Sequence, residues 1–499
     1  MMKVLVANRG EIAVRIMRAC QELGFSSVAV YSEADQGALH TRYADEAVLI
    51  GPAAAKDSYL NIDRIIQAAV DKGADAIHPG YGFLSENEEF ARQVEEAGLI
   101  WIGPRPETIA MTGDKLAARR IAREAGLPVL FGPDVPIDGN QESDLDRLVE
   151  AQTDFPVMVK AILGGGGRGI RLAQNREELK QMISLAQRES KSSFGNDGIY
   201  LEPFVNRARH IEVQIIGDGA GTVLVLGERE CSIQRRRQKL IEEAPAPNLN
   251  DEQRRLVHEY AHQLGKALNY RSLGTVEFLL DRKGRFYFIE VNPRIQVEHP
   301  VSELVLGIDL VRMQLRLALV GDMKYTQDQI VARGAAIEAR ILAEDPSNGF
   351  LPAAGKISYV QEPDGPGIRV DSALFQGMEV TTDYDSLIAK VIVWGEDREA
   401  AIGRLTRALK EFQVSGVPTS KELLTKIISQ DSFVHGNVDT TFLDTFKPLL
   451  SERSEALEKI AAIAAALAMH SGKKTQKQAA IQENNWRKTA WLEQMRGSV

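Results

Sequence analysis

Short apolar runs alternate with segments of helical period near the N-terminus, and this alternation restricts the chain to a parallel-sheet architecture. Lys3 to Ala7 is rich in β-branched residues, and Asn8-Arg9-Gly10-Glu11 is a turn able to start a helix. Ile12, Arg15, Ile16, Ala19 and Leu23 then recur at helical spacing. Gly24 closes that helix, and Val28 to Tyr31 reads as the next strand. Ala74 to Ile77 and Leu99 to Ile102 repeat the pattern. Strands interleaved with helices pair in parallel, with the helices on the sheet faces.

The chain has 499 residues. At about 100–200 residues per domain this implies about three domains. Pro104 and Pro106 interrupt the first pattern, and Lys115 to Ala125 reads as a linking helix. A second unit runs from Leu130 to Pro203, and a third from Phe204 into the 440s. From Ser451 an alanine-rich helix gives way to a polar stretch, the pattern of an appended segment or linker. A net charge of -9 argues against nucleic acid or an anionic membrane as the main partner. Two cysteines, Cys20 and Cys231, are too few for a disulfide framework and lack zinc-ligand spacing, so a reducing cytoplasm is expected. The apolar run at the N-terminus is too short for a signal peptide, and Ile460 to Met469 is too short to span a membrane.

Four segments carry chemistry. Gly164 to Gly167 follow the strand Val157 to Ala161, which ends beside Lys160. Glycines let successive amides face a phosphate. The alternative is a plain surface loop, and Lys160 favours the nucleotide reading. No Gly-Lys-Ser/Thr follows, so the segment is not a P-loop. Glu277 and Glu290 each interrupt an apolar strand, and the turn-forming Asp281 to Arg285 makes the two strands a hairpin. Buried carboxylates need a cation, and oxygen ligands suit Mg²⁺ on nucleotide phosphates. Asn292 lies two residues on, on the face of Glu290, as a third oxygen ligand. An exposed hairpin face is the competing reading. Arg294, Gln296 and Glu298 alternate and share one face if the segment is extended. They suit the capture and deprotonation of a small planar anion, or else form a structural Arg–Glu ion pair. Gln234 to Lys239 concentrates cations, including Arg237, in an acidic chain and reads as an anion site rather than a solvated face.

Taken together, these segments resemble the biotin carboxylase family from Lys3 to about Phe446. The resemblance is carried by Ala7 to Ala13, His78 to Asn87, Gly113-Asp114-Lys115, the glycine loop, Glu242 to Pro247, Arg294 to Pro300, Ala339 to Ile341, Ala343 to Pro346 and Tyr384 to Lys390. It implies an α/β (α+β) ATP-grasp fold. A Rossmann-like pre-ATP-grasp domain would occupy 1–114 and an ATP-grasp domain 115–316, with a mobile lid at about 131–203. A C-terminal biotin carboxylase domain would follow at 317–446, then a helical tail or linker at 447–499. It also implies that Lys115, Lys160, Gly166, Gly167, His210 and Glu277 contact ATP and that Glu202, Pro203, Phe204 and Val205 form the adenine hinge. Glu277, Glu290 and Asn292 would hold Mg²⁺ or Mn²⁺. Lys239, Arg294, Gln296 and Val297 would cradle bicarbonate, with Glu298 as its base, and Arg340 would stabilise the biotin enolate.

Three positions depart from the family pattern. Arg237 stands where a nucleotide-contacting histidine is common, Pro203 replaces a lysine, and Leu163 replaces a small residue. Proline keeps the carbonyl that an adenine amino group needs. The resemblance implies ATP-dependent carboxylation of biotin through carboxyphosphate, with a homodimer as the expected assembly. Alternatives are another ATP-grasp ligase or a non-catalytic assembly protein. No carrier signature surrounds Met2-Lys3 or Met323-Lys324. The biotin carboxyl carrier protein is therefore expected on a separate chain, alongside a carboxyltransferase. Trp486 and Trp491 in the tail are a possible docking element or part of a plain helical extension.

Overall fold

The computed structural model describes residues 2–130, 132, 155–162 and 169–446, and the isolated positions 459 and 463. The chain divides into a unit Met1–Phe446 and a unit Lys447–Val499, and the tail reading falls outside the described residues.

The N-terminal alternation folds as the pattern requires. β1 (Lys3–Val6), β2 (Ser26–Ser32), β3 (Glu46–Gly51), β4 (Ala76–His78) and β5 (Ile100–Trp101) form a parallel sheet in the order β3-β2-β1-β4-β5. The helix Gly10–Glu22 follows β1 and buries Ile12, Ala13, Ile16 and Met17. Asn8 ties the end of β1 to the segment after β4. Its side-chain amide donates to the carbonyls of Pro79 and Tyr81, each at 2.7 Å.

β6 (Val157–Ala161), β7 (Ile170–Ala173) and β8 (Ile199–Pro203) make a small antiparallel sheet, order β7-β6-β8, backed by the helix Arg176–Phe194. Much of the expected lid, including Gly166 and Gly167, lies outside the described residues.

The largest element is an eight-stranded antiparallel sheet. It contains β9 (Arg209–Asp218), β10 (Val223–Arg235), β11 (Gln238–Ala244), β12 (Arg271–Leu280), β13 (Phe286–Asn292) and β14 (Ala335–Leu342), with the strands Leu387–Gly395 and Ile368–Ser372. The order is β13-β12-β9-β10-β11-β14, then Leu387–Gly395 and Ile368–Ser372. The sheet runs unbroken across position 316, because β11 pairs β14. Side chains alternate across it. Ile211, Val213, Ile215, Val276, Phe278 and Phe288 meet Val257, Ala261 and Leu264 of the helix Asp251–Ala267 in one core. Glu212, Gln214 and Glu277, at the alternate positions, point to the opposite face.

Candidate active site

Strand register builds a row of charge on that opposite face. Glu290 opposes Glu277 across β13–β12. Glu277 opposes Glu212 across β12–β9, and Glu212 opposes Arg229 across β9–β10. The β12–β13 turn is fixed by Asp281, whose Oδ1 accepts from the backbone N–H of Lys283 at 2.8 Å and of Arg285 at 2.9 Å.

The basic run does not act as one patch. Arg236 and Arg237, at φ +49° and +66°, form the two-residue turn between β10 and β11. Arg235 pairs with Glu344, and the Arg237 guanidinium donates to the Ile170 carbonyl at 2.8 Å. Of the run's cations Lys239 turns into the row, at a point where the β10–β11 pairing slips out of regular register. Its ammonium donates to Glu212 at 2.5 Å, Glu277 at 2.9 Å and Glu298 at 2.6 Å. Burial opposes its charge, but the three carboxylates hold it well above the ordinary lysine range.

The segment 293–298 is not a regular extended strand. It bends and turns into the helix His299–Leu306, with Glu298 at the N-cap, because Pro300 occupies a first-turn position that needs no N–H donor. The three polar side chains still converge, but Arg294 does not pair with Glu298. Arg294 Nε donates to Glu86 at 2.5 Å and Nη2 to Asn292 Oδ1 at 3.1 Å. Gln296 donates to Glu277 at 3.0 Å, and the Val297 carbonyl accepts from Lys390 at 2.9 Å. Glu298 takes Lys239 and, at 2.8 Å, Arg340. Burial pushes the Glu298 carboxyl up, and Lys239, Arg340 and Arg229 overcome this, holding it well below the usual range.

The carboxylates of the hairpin differ. Glu277 accepts from Lys239, Asn292, at 2.9 Å, and Gln296, with His210 Nε2 3.1 Å away, and is held well below its ordinary value despite burial. Glu290 is raised by burial, an effect opposed by Lys115 at 3.7 Å and reinforced by Glu277. Two opposed carboxylates, one of them under-neutralised, form a hard oxygen set that fits a divalent cation. Ligand atoms of His210, Glu212 and Glu277 also lie within 4.8 Å of one another.

Lys160, at the end of β6, pairs with Glu202 of β8, and Arg119 donates to the same carboxylate at 2.8 Å. Glu202 is thus buried between two cations. Pro203 is exposed, and Phe204 and Val205 are half-buried. The Phe204 N–H is committed to the Pro156 carbonyl at 3.2 Å. His210 Nδ1 meets the Gln234 amide at 3.0 Å.

Sequence reasoning named neither Arg229, Glu212, Arg119 nor Lys390 as site residues. Their signal was present: each charge interrupts an apolar strand or helix face. Only strand register shows which of them meet.

A carboxylate hairpin and a buried cluster of paired charges on one face of the eight-stranded sheet, with Lys160 on a separate three-stranded sheet, have the arrangement of an ATP-grasp protein. Family models agree. Biotin carboxylase N-terminal domain matches residues 1–109, the carbamoyl-phosphate synthase L chain ATP-binding domain matches 114–325, and biotin carboxylase C-terminal domain matches 338–445. The chain is 49% identical to a biotin carboxylase of Nostoc sp. over 88% of its length and 98% of the relative. It is 46% identical to biotin carboxylase 1 of Bacillus subtilis, covering 89% of this chain and 98% of that one. The biotin carboxylase domain dimer of Hydrogenobacter thermophilus 2-oxoglutarate carboxylase, solved with MgADP, ADP and bicarbonate, superposes with a TM-score of 0.87 at 45% identity, covering 91% of this chain and 99% of that one. The chain belongs to the biotin carboxylase family.

Proposed function

We propose that the protein uses ATP and hydrogencarbonate to carboxylate biotin on a separate carrier protein, by way of carboxyphosphate. The observation that carries this is the meeting of Lys239, Glu298 and Arg340 in one buried cluster continuous with the Glu277–Glu290 hairpin. Lys239, Arg294, Gln296 and the backbone of Val297 hold the hydrogencarbonate. Glu298 removes its proton, and the freed oxygen attacks the γ-phosphoryl group as ADP leaves. The carboxyphosphate breaks down to CO₂ and phosphate, and the phosphate takes the N1 proton of biotin as N1 attacks CO₂. Arg340 then offsets negative charge on the ureido oxygen of biotin.

Glu298 is depressed by the same cations that would receive the substrate. Each contact that Lys239 or Arg340 transfers to an incoming anion raises the basicity of Glu298. The base is therefore strengthened by substrate binding. Lys115 and Lys160 offset phosphate charge, with Gly166 and Gly167 wrapping the phosphates and His210 and Arg237 at the nucleotide edge. The backbone of Glu202 to Val205 receives adenine. Glu277, Glu290 and Asn292 would hold Mg²⁺ or Mn²⁺, which supplies charge neutralisation at the phosphate oxygens. Domain limits at 114, 316 and 446 and a lid at about 131–203 belong to this reading.

A carboxyltransferase and the carrier are the proposed partners, and a homodimer the assembly. Curated relatives that are separate biotin carboxylase chains of nearly this length support a carrier on another chain, and a solved relative described as a dimer supports the homodimer. Among the described residues no helix is long and apolar enough to cross a membrane, and Cys20 and Cys231 are buried free thiols, which supports a reducing cytoplasm. The test is ATP cleavage with bicarbonate and free biotin in Arg294→Ala and Glu298→Gln. Each is expected to lower turnover by about 100-fold or more with ATP affinity unchanged. Turnover near wild type in either variant contradicts the assigned roles.

A further inference from the structure

Behind Arg340 lies a pair of carboxylates to which the reaction gives no role. Glu338 of β14 stands directly opposite Glu242 of β11, and both are fully buried. None of their four side-chain oxygens accepts a directed hydrogen bond among the described residues. Cross-strand neighbours have Cβ atoms about 5 Å apart, where two ionised carboxylates repel strongly in a buried setting.

The surrounding charges do not cover both. From β14 itself comes Arg340, whose Nη2 lies 2.5 Å from Glu242 and 2.8 Å from Glu298. From the strand Leu387–Gly395 comes Lys390, which faces Glu11 at 3.0 Å and Asp371 at 3.7 Å. From β11, Lys239 acts on Glu242 but is shared by three other carboxylates. The helix His299–Leu306, packed on this face through Val301 and Val305, brings Glu298 at its N-cap, His299 and Glu303. His299 is held neutral, its pKa pushed down to about 3, first by burial. Glu303 is spent on Arg15 and Arg369. Glu243 points to the other face, where it pairs Arg398. Glu338 is opposed chiefly by Lys390, which it shares with Glu11 and Asp371, so among the described residues it has no counter-ion of its own.

We propose that Glu338 and Glu242 share one proton and, through Arg340, set the pH range over which the biotin half-reaction runs. Glu338 is a positioning residue. With the proton in place the pair carries one negative charge, and Arg340 divides itself between Glu242 and Glu298. Loss of the proton adds a second charge on the sheet side and draws the guanidinium away from the substrate. Burial pushes both carboxyls up, that of Glu242 to about 7 and that of Glu338 well above its usual range, which agrees with a retained proton.

The inference rests on the biotin carboxylase reading, so the test has two arms. In the first, biotin-dependent ATP cleavage is followed from neutral to alkaline pH. Glu338→Gln, isosteric with the neutral acid, is expected to fold and to keep neutral-pH turnover within about threefold. It is also expected to move the alkaline limb up by about one pH unit or more. An unmoved limb, a large loss at neutral pH or failure to fold overturns the proposal. In the second arm, infrared difference spectra at neutral pH compare wild type with Glu338→Gln and with Glu242→Gln. Each is expected to show loss of one protonated-carboxyl band, since a shared proton needs both partners. Absence of that band from both difference spectra overturns the shared proton. If the wild type shows no biotin-dependent turnover at all, the functional reading fails while the infrared arm still decides the proton.

Discussion

Arg229 illustrates how one side chain can organise the site without meeting a substrate. Its guanidinium is fully buried, and all five N–H donors are used, on Glu212, Gln214, Ser302, Thr275 and Gln296. Those acceptors come from β9, β12, the bend before the helix His299–Leu306 and that helix itself, so one planar group fixes four pieces of backbone. Arg229→Met leaves the buried Glu212 carboxylate with Lys239 as its remaining cation and strands four further acceptors. It is expected to cost about 3–5 kcal/mol, read as a lowered denaturant midpoint. Arg229→Lys offers three donors for five acceptors and should fall between. An unchanged midpoint in both would show that the network does not depend on it. His78 permits a pH test at the same scale. Its Nδ1 accepts from the Gly80 N–H at 3.0 Å, and burial pushes its pKa down to about 3. The folded state therefore holds it neutral while the unfolded chain protonates it near 6.5. Its contribution is complete above about 6.5 and declines as pH falls through the window toward about 3, by about 1.4 kcal/mol per pH unit. The stability gap between wild type and His78→Gln should narrow on acidification. A constant gap would contradict a neutral buried ring.

Among the elements, the β12–β13 hairpin shows what was legible in the sequence. A carboxylate interrupting each of two apolar strands, with turn residues between, sufficed to predict the hairpin, and the structure sets Glu277 opposite Glu290 on it. The parallel N-terminal sheet was equally readable, since period alone fixes strand and helix there. The segment 293–298 was not. Its alternating polar residues read as extended, but Pro300 and the following helix bend it, and Arg294 reaches Glu86 from the N-terminal unit instead of Glu298. The basic run was legible only in part. A two-residue turn sends its members to different faces, so Lys239 enters the carboxylate row while Arg237 reaches the Ile170 carbonyl. Long-range register, which a local pattern does not contain, decided both outcomes. For the hairpin, Glu290→Gln is expected to raise the Mg²⁺ concentration needed for half-maximal ATP cleavage by about tenfold or more. It should leave the fold intact, because it removes a carboxylate that Glu277 already opposes. An unchanged Mg²⁺ requirement would remove Glu290 from the metal set.

At the scale of the whole molecule, no continuous strand among the described residues joins the N-terminal sheet to the eight-stranded sheet. A shared apolar core, in which Val4, Ile12 and Ile16 cluster with Ile216, Leu224 and Leu273, and a set of buried ion pairs join them. Glu11 of the first helix meets Lys390, and Arg15, one turn on, meets Glu303, which also takes Arg369. Burial acts against the Glu303 charge, but Arg15 and Arg369 hold its carboxyl down at about 2. Lys390 in turn bonds the Val297 carbonyl, so the segment carrying Gln296 and Glu298 is held from both parts of the chain. This arrangement lets a nucleotide and a hydrogencarbonate, both anions, meet between fixed cations instead of in water. The most direct measurement of that meeting is the fate of oxygen in ¹⁸O-labelled hydrogencarbonate during a single turnover with ATP and biotin. Attack of hydrogencarbonate on the γ-phosphoryl group predicts that one labelled oxygen appears in the inorganic phosphate released. Unlabelled phosphate would mean that water is the nucleophile, and would contradict the account.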